Sequence, residues 1–174
     1  MGKVIKFVLG LVLALVLAFF GAGLVMPTLS VEASVEVERP VETAWRVFMD
    51  GDRAVEWMTG LQRMDIVAGE PGMVGSQLTL VFVENGEEMA VEEMVTSVRK
   101  HEEYGFTIDS ETATGNAVVR FEDLGMRTRI TLASEMQGQN PILQSIMVIS
   151  QGFIRDRQRA DLQKLKQMIE AEQG

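Results

Sequence analysis

Residues 7–26 read FVLGLVLALVLAFFGAGLVM, twenty positions without a charged side chain. Lys3 and Lys6 precede the run, and the first acid, Glu32, follows it. At about 1.5 Å of rise per residue, a helix of this length reaches roughly 30 Å, the hydrocarbon thickness of a bilayer. Two readings fit it. The run is a permanent signal anchor, or it is a secretory signal peptide that is removed. Signal-peptide cores usually hold about 7–15 apolar residues before a small-x-small cleavage site. This run is longer. Cutting at Gly21-Ala22-Gly23 leaves Leu24-Val25-Met26 as an apolar stub, and cutting at Val31-Glu32-Ala33 lands inside an expected strand. The length therefore favours an uncleaved anchor that joins the membrane through Phe7 to Met26. The chain has no cysteine, so lipidation is not expected.

Lys3 and Lys6 favour the cytoplasmic side, while no base follows the run until Arg39. The sequence predicts a single-pass protein of the inner (cytoplasmic) membrane with its N-terminus inside and its C-terminal domain outside. The alternative is a secreted or periplasmic protein after signal-peptide cleavage. Residues 1–28 are taken as anchor and short linker, and residues 29–174 as the exported domain. The chain carries 16 basic and 25 acidic residues, for a net charge of −9. Setting Lys3 and Lys6 aside leaves 14 against 25, or −11, on the exported part. Such a surface repels nucleic acid, which is excluded as a partner. A domain of this size supports one good core.

Periodicity sketches that domain. Val31, Ala33, Val35 and Val37 alternate with polar residues, as in a half-buried strand. Pro40 suits the start of a helix carrying Val41, Ala44, Trp45 and Phe48. Asp50-Gly51-Asp52 ends it, with Asp52 expected to cap a second short helix that stops at Gly60. Strand patterns follow from Leu61. Asn85-Gly86 is a strong two-residue hairpin signal. A turn is expected at Thr112–Gly115, and a last strand in which Met126, Thr128, Ile130, Leu132 and Met136 share one face. After Asn140-Pro141, some thirty residues to Glu172 carry an apolar stripe, Ile142, Ile146, Ile149, Phe153, Leu162, Leu165 and Ile169, with Gly152 as a candidate kink. The order is strand, two short helices, six strands and one long helix. A sheet with one dry face and a long amphipathic helix is satisfied by curling the sheet around the helix.

That order, with its particular residues, resembles the START-like (SRPBCC) superfamily, which includes polyketide cyclases and dehydrases, Bet v 1 proteins and lipid-transfer domains. The resemblance runs from about Val31 to the C-terminus. It rests on the junction VEVERPVETAWRVFMD with Pro40, Glu42 and Trp45, on Trp57, on PGMVGS at Pro71 to Ser76, and on the long closing helix. These are fold markers and not catalytic motifs. The resemblance implies a helix-grip α+β fold: a seven-stranded curved antiparallel sheet around a long C-terminal helix, enclosing an apolar cavity for a hydrophobic ligand.

The chemistry-bearing residues are few. His101 is the only histidine and sits in the charged segment RKHEE, read as a solvated loop. One histidine and no cysteine exclude a nitrogen–sulfur zinc site, and no phosphate-cradling loop is present, so neither metal nor cofactor is expected. Asp50 and Asp52 fit a helix stop and start better than a metal site. Glu92 and Glu93 are adjacent strand residues, so one of them points to the curled side. That inward carboxylate is read as lying near the sheet edge and hydrated; inside an apolar cavity it would instead have a raised pKa, which makes Glu92 or Glu93 a weak candidate for acid–base catalysis. Trp57, Phe82, Met94, Tyr104, Phe106, Phe121 and Phe153 are the candidate ligand-binding side chains, with the Tyr104 hydroxyl suited to orienting a polar group. Met58, Met89, Met126, Met136 and Met147 add adaptable apolar surface. The cluster Arg155, Arg157 and Arg159 reads as a solvated face of mixed charge. Three functions follow: membrane-tethered binding or transport of a lipid-like or isoprenoid molecule, a polyketide cyclase/dehydrase-like enzyme using Glu92 or Glu93, or a partner-binding domain whose core is filled by its own side chains.

Overall fold

A computed structural model describes residues 2–84 and 86–172. The apolar run lies in helix α1 (Gly2–Val25), and Val4–Val25 is long and apolar enough to cross a membrane. Three residues later the chain enters β1 (Leu29–Val37), whose odd positions are buried and whose Glu32 and Ser34 are exposed. Next come helix α2 (Val41–Phe48), a single 3-10 turn (Gly51–Arg53) and helix α3 (Ala54–Trp57). Six strands follow: β2 (Leu61–Ala68), β3 (Gln77–Glu84), β4 (Glu87–Arg99), β5 (Glu103–Ser110), β6 (Ala113–Asp123) and β7 (Thr128–Gly138). Helices α4 (Pro141–Ile149) and α5 (Gln151–Ala171) close the chain.

All seven strands form one antiparallel sheet in the order β1-β7-β6-β5-β4-β3-β2. The order is sequential except that β1 closes onto β7, pairing Leu29 with Met136 and Val37 with Thr128. The dry face of the sheet wraps toward α5, whose Leu162, Leu165 and Ile169 are almost fully buried against Val35, Val37, Ala44 and Ile130. Helix α5 packs on β1, α2 and α3, and α4 packs on β7 and α1. The end of α5 is held electrostatically. Arg53 and Arg46 bond to the Glu172 carboxylate at 2.6 and 3.2 Å, and these two guanidinium groups hold that carboxyl below the usual carboxylate range.

Several local expectations change. The structure shows no capping hydrogen bond from the Asp50 or Asp52 side chain, so these residues mark a break without a side-chain cap. The C-terminal helix divides at Ser150 and not at Gly152, while its start is capped as expected by Asn140, which accepts from the Ile142 and Leu143 amides at 3.0 Å. Strand β6 begins at Ala113, inside the expected turn, because Gly115 lies tight against the Glu135 carbonyl of β7 where a side chain would not fit. Met126 lies outside β7 in the preceding turn and is 77% exposed. In the β3–β4 hairpin Glu84 pairs with Glu87 and Gly86 has φ +87°, as a tight turn needs, whereas Asn85 lies outside the described residues.

Candidate ligand site on the concave face

The strand ladder decides which glutamate points inward. In β4, Met89, Val91, Glu93 and Val95 share one face, and Glu92 and Met94 the other. The registers place Glu93 in a row that crosses all seven strands: Ile66, Leu78, Glu93, Ile108, Gly115, Met136 and Leu29. Six of these seven are apolar or glycine, so the carboxyl is the one ionisable group in an apolar row, whose β2 end at Ile66 is 53% exposed. Tyr104, on the same face of β5, donates its hydroxyl proton to Glu93 Oε1 at 3.0 Å. Burial pushes the Glu93 carboxyl up from 4.5 to about 7, and the Tyr104 hydrogen bond opposes this only in part. The Tyr104 phenol is itself pushed well up, first by burial and then by the neighbouring carboxylate. The carboxyl thus gains and loses its proton near neutrality, and in either form it remains a hydrogen-bonding group in an apolar wall. Glu92 is exposed on the convex side.

Aromatic rings pack around the pair. Tyr104 contacts Phe106 (5.8 Å between ring centres) and Phe48 (5.5 Å). Phe48 in turn meets Phe121 (5.3 Å) and Trp57 (6.1 Å), and Phe121 meets Trp45 (5.2 Å). This cluster fills the end of the concave face beneath α2. Beyond it, Phe82, Val91, Phe106 and Leu132 are only half-buried against the core.

Two more polar atoms are buried with no hydrogen-bond partner among the described residues: the indole nitrogen Nε1 of Trp57 and Oε1 of Gln158. Leaving such a group unpaired costs about 1–3 kcal/mol. The Gln158 amide is fixed by its other end, Nε2 donating to Ser134 Oγ of β7 at 2.7 Å. Gln158 and Ser134 were not among the expected site residues. One signal was available: Gln158 precedes Leu162 by four positions, on the buried stripe of α5.

Of the seven expected ligand-binding residues, Trp57, Phe82, Tyr104, Phe106 and Phe121 come together on the concave side. Met94 does not. It is 43% exposed on the convex face, where it borders an open hollow of about 330 Å³ with Gln77, Thr79, Glu92, Thr107 and Asp109; Leu78 and Glu93 also line it. A second hollow, of about 280 Å³, lies on the same outer side over Glu32, Asn116 and Glu135. Both are open to solvent and lined by polar and apolar residues alike. Phe153 is 65% exposed and lies away from the aromatic cluster. His101 is less free than expected: it turns the chain between β4 and β5 with φ +66° and packs edge-on against Trp45. Among the described residues no group of three or more His, Cys, Asp or Glu is placed to hold a metal ion.

A family profile described as "Polyketide cyclase / dehydrase and lipid transport" matches residues 28–170. Solved structures share the fold. The Zhui aromatase/cyclase from Streptomyces sp. R1128 superposes with a TM-score of 0.70 at 15% identity, covering 82% of this chain and 94% of that one. The TTHA0849 protein of Thermus thermophilus gives 0.66 at 17%, covering 81% and 97%. The major latex-like protein 151 of Panax ginseng gives 0.63 at 14%, covering 82% and 97%. No curated protein matches the sequence significantly.

Proposed function

This chain belongs to the polyketide cyclase / dehydrase and lipid transport family, and from that premise we propose that it binds or carries a lipid-like or isoprenoid molecule while tethered to the membrane. The site is the concave face between the sheet and α5. The observation that carries this reading is the Glu93–Tyr104 pair, a hydrogen-bonding head group set in an otherwise apolar row. It suits a ligand with a long apolar body and one polar end. The unpaired Trp57 Nε1 and Gln158 Oε1 offer that ligand a further donor and acceptor.

The tether is supported by packing. A Cβ on Gly23 would stand 2.6 Å from Ser145 Oγ, so the last turn of α1 lies directly against α4. The Gln144 amide also donates to the Met26 carbonyl at 2.6 Å. Helix α1 therefore ends as part of the folded domain, which favours a retained anchor over a cleaved signal peptide. The lysines before it favour a cytoplasmic N-terminus and a domain on the outer side of the inner membrane. We divide the chain accordingly into residues 1–28, anchor and linker, and residues 29–174, the ligand-binding domain.

A second reading rests on the same geometry, a Glu93 carboxyl set in the apolar wall and bonded by Tyr104, which burial pushes up to about 7. A carboxyl poised near neutrality suits general acid–base catalysis, as in a cyclase or dehydrase. At 15% identity the aromatase/cyclase neighbour shares the fold and brings no reaction with it. Native mass spectrometry of the detergent-extracted full chain tests the first reading. An apolar molecule should co-purify and should be retained less well by Glu93→Gln. If the protein is always empty, the carrier reading falls. If the bound molecule is instead converted, and Glu93→Gln abolishes conversion but not binding, the enzyme reading replaces it.

A further inference from the structure

Residues 136–154 form a second long stretch without a charged side chain, interrupted by polar but uncharged residues. It contains α4 and the first turn of α5. Within it Ile142, Ile146, Ile149 and Phe153 are 53%, 48%, 64% and 65% exposed. Their spacing of four, three and four residues puts them on one face. Four large apolar side chains in a line on a monomer surface call for an occupant.

We infer that this face is a second membrane contact: α4 and the start of α5 lie in the interfacial layer of the bilayer, beside the point where α1 leaves it. The inference rests on the reading of α1 as a membrane anchor. What identifies the occupant is continuity with that helix. Gly23 of α1 abuts Ser145, and Gln144 is bonded to Met26, so the Gln144–Ser145 side of α4 is held at the C-terminal end of the span. The apolar stripe begins next to Ser145, and Leu24, Val25 and Met26 at the end of the span are likewise exposed. A helix fixed there meets acyl chains wherever its face is apolar. Charge returns at Arg155 and Arg159, both exposed, where headgroup phosphates would lie. Asp156 lies 3.7 Å from Arg159 and weakens that attraction in part, so the apolar stripe supplies most of the contact.

The chain has no cysteine, which makes the test direct. Single variants Ile146→Cys, Phe153→Cys, Met126→Cys and Leu17→Cys of the full chain are labelled with a small fluorophore. Each is reconstituted into phosphatidylcholine/phosphatidylglycerol vesicles containing a lipid with a quencher high on its acyl chain. Labels at Ile146 and Phe153 should be quenched several-fold more than the label at Met126, with Leu17 strongly quenched by lipids carrying the quencher deep on the chain. Quenching at Ile146 no greater than at Met126, with Leu17 quenched, overturns the inference and leaves the anchor standing. An unquenched Leu17 label overturns both. Efficient disulfide cross-linking between unlabelled Ile146→Cys chains, without lipid quenching of the labelled form, assigns the face to a second copy of this chain and also overturns it.

Discussion

Replacing Glu93 by glutamine should change how stability depends on pH. The folded protein holds the Glu93 proton more tightly than the unfolded chain does, because burial raises the carboxyl from 4.5 to about 7. That rise corresponds to about 3 kcal/mol, at about 1.4 kcal/mol per tenfold change in proton affinity. The direction follows from proton counting. Between pH 4.5 and 7 the folded state binds more protons than the unfolded state, so stability falls as pH rises. The contribution is complete below pH 4.5 and is lost above about pH 7. Glutamine has no such proton. The variant should therefore gain on the wild type by up to about 3 kcal/mol as pH climbs through that window, or about 6–12 °C in midpoint for a chain of this size. Thermal unfolding of both proteins in detergent, followed by near-ultraviolet circular dichroism from about pH 4.5 to about pH 8, measures it. Other carboxylates titrate alike in the two proteins, so the difference isolates Glu93. A difference that stays constant across the range would show that the carboxyl is not buried as described.

Tyr104→Phe removes the hydrogen bond that lowers the Glu93 pKa, so the same pH-dependent loss should move to higher pH, read from the melting curves or by NMR of labelled glutamate. Trp57→Phe deletes a buried donor that has no partner among the described residues. The ligand-free melting temperature should shift by only a few degrees, as a smaller ring offsets a relieved orphan of about 1–3 kcal/mol, while retention of a co-purifying ligand should fall. Gly23→Val places a side chain where Ser145 already sits. Membrane insertion should survive, but α1 should part from α4, and proteolysis of residues 26–28 in vesicles should accelerate; unchanged cleavage would contradict the packing.

Much of the fold was legible where a strand keeps its period of two, as β1 does, and less so in β2 and β4, whose registers shift. Val31 to Val37 alternate in sequence and in burial alike. Adjacency alone leaves the inward glutamate open between Glu92 and Glu93, although the neighbours two positions away separate them: Glu93 lies between Val91 and Val95, while Met94 lies between Glu92 and Thr96. The apolar stripe after Pro141 misled for a geometric reason. Phe153 and Leu162 are nine residues apart, about half a turn out of phase at 100° per residue, so they cannot share a face. One face grips the sheet and the other is left outside. Tertiary contacts set the rest. Nothing local shows that Gly115 must clear the Glu135 carbonyl, or that His101 would rest on Trp45, 56 positions earlier.

The closure of β1 onto β7 has a consequence in time. Leu29 and Met136 are direct partners, yet roughly 100 residues of synthesis separate them. At about 5–20 residues per second, β1 waits on the order of 5–20 s for its neighbour, three residues beyond the end of α1. Strands β2 to β6 emerge meanwhile, and none of them pairs with it. The β1–β7 ladder is the last of the strand pairs to become possible during synthesis, a long-range closure expected to be the slow step of folding. Until then the newborn chain presents an unsatisfied strand edge, open to pairing with another chain.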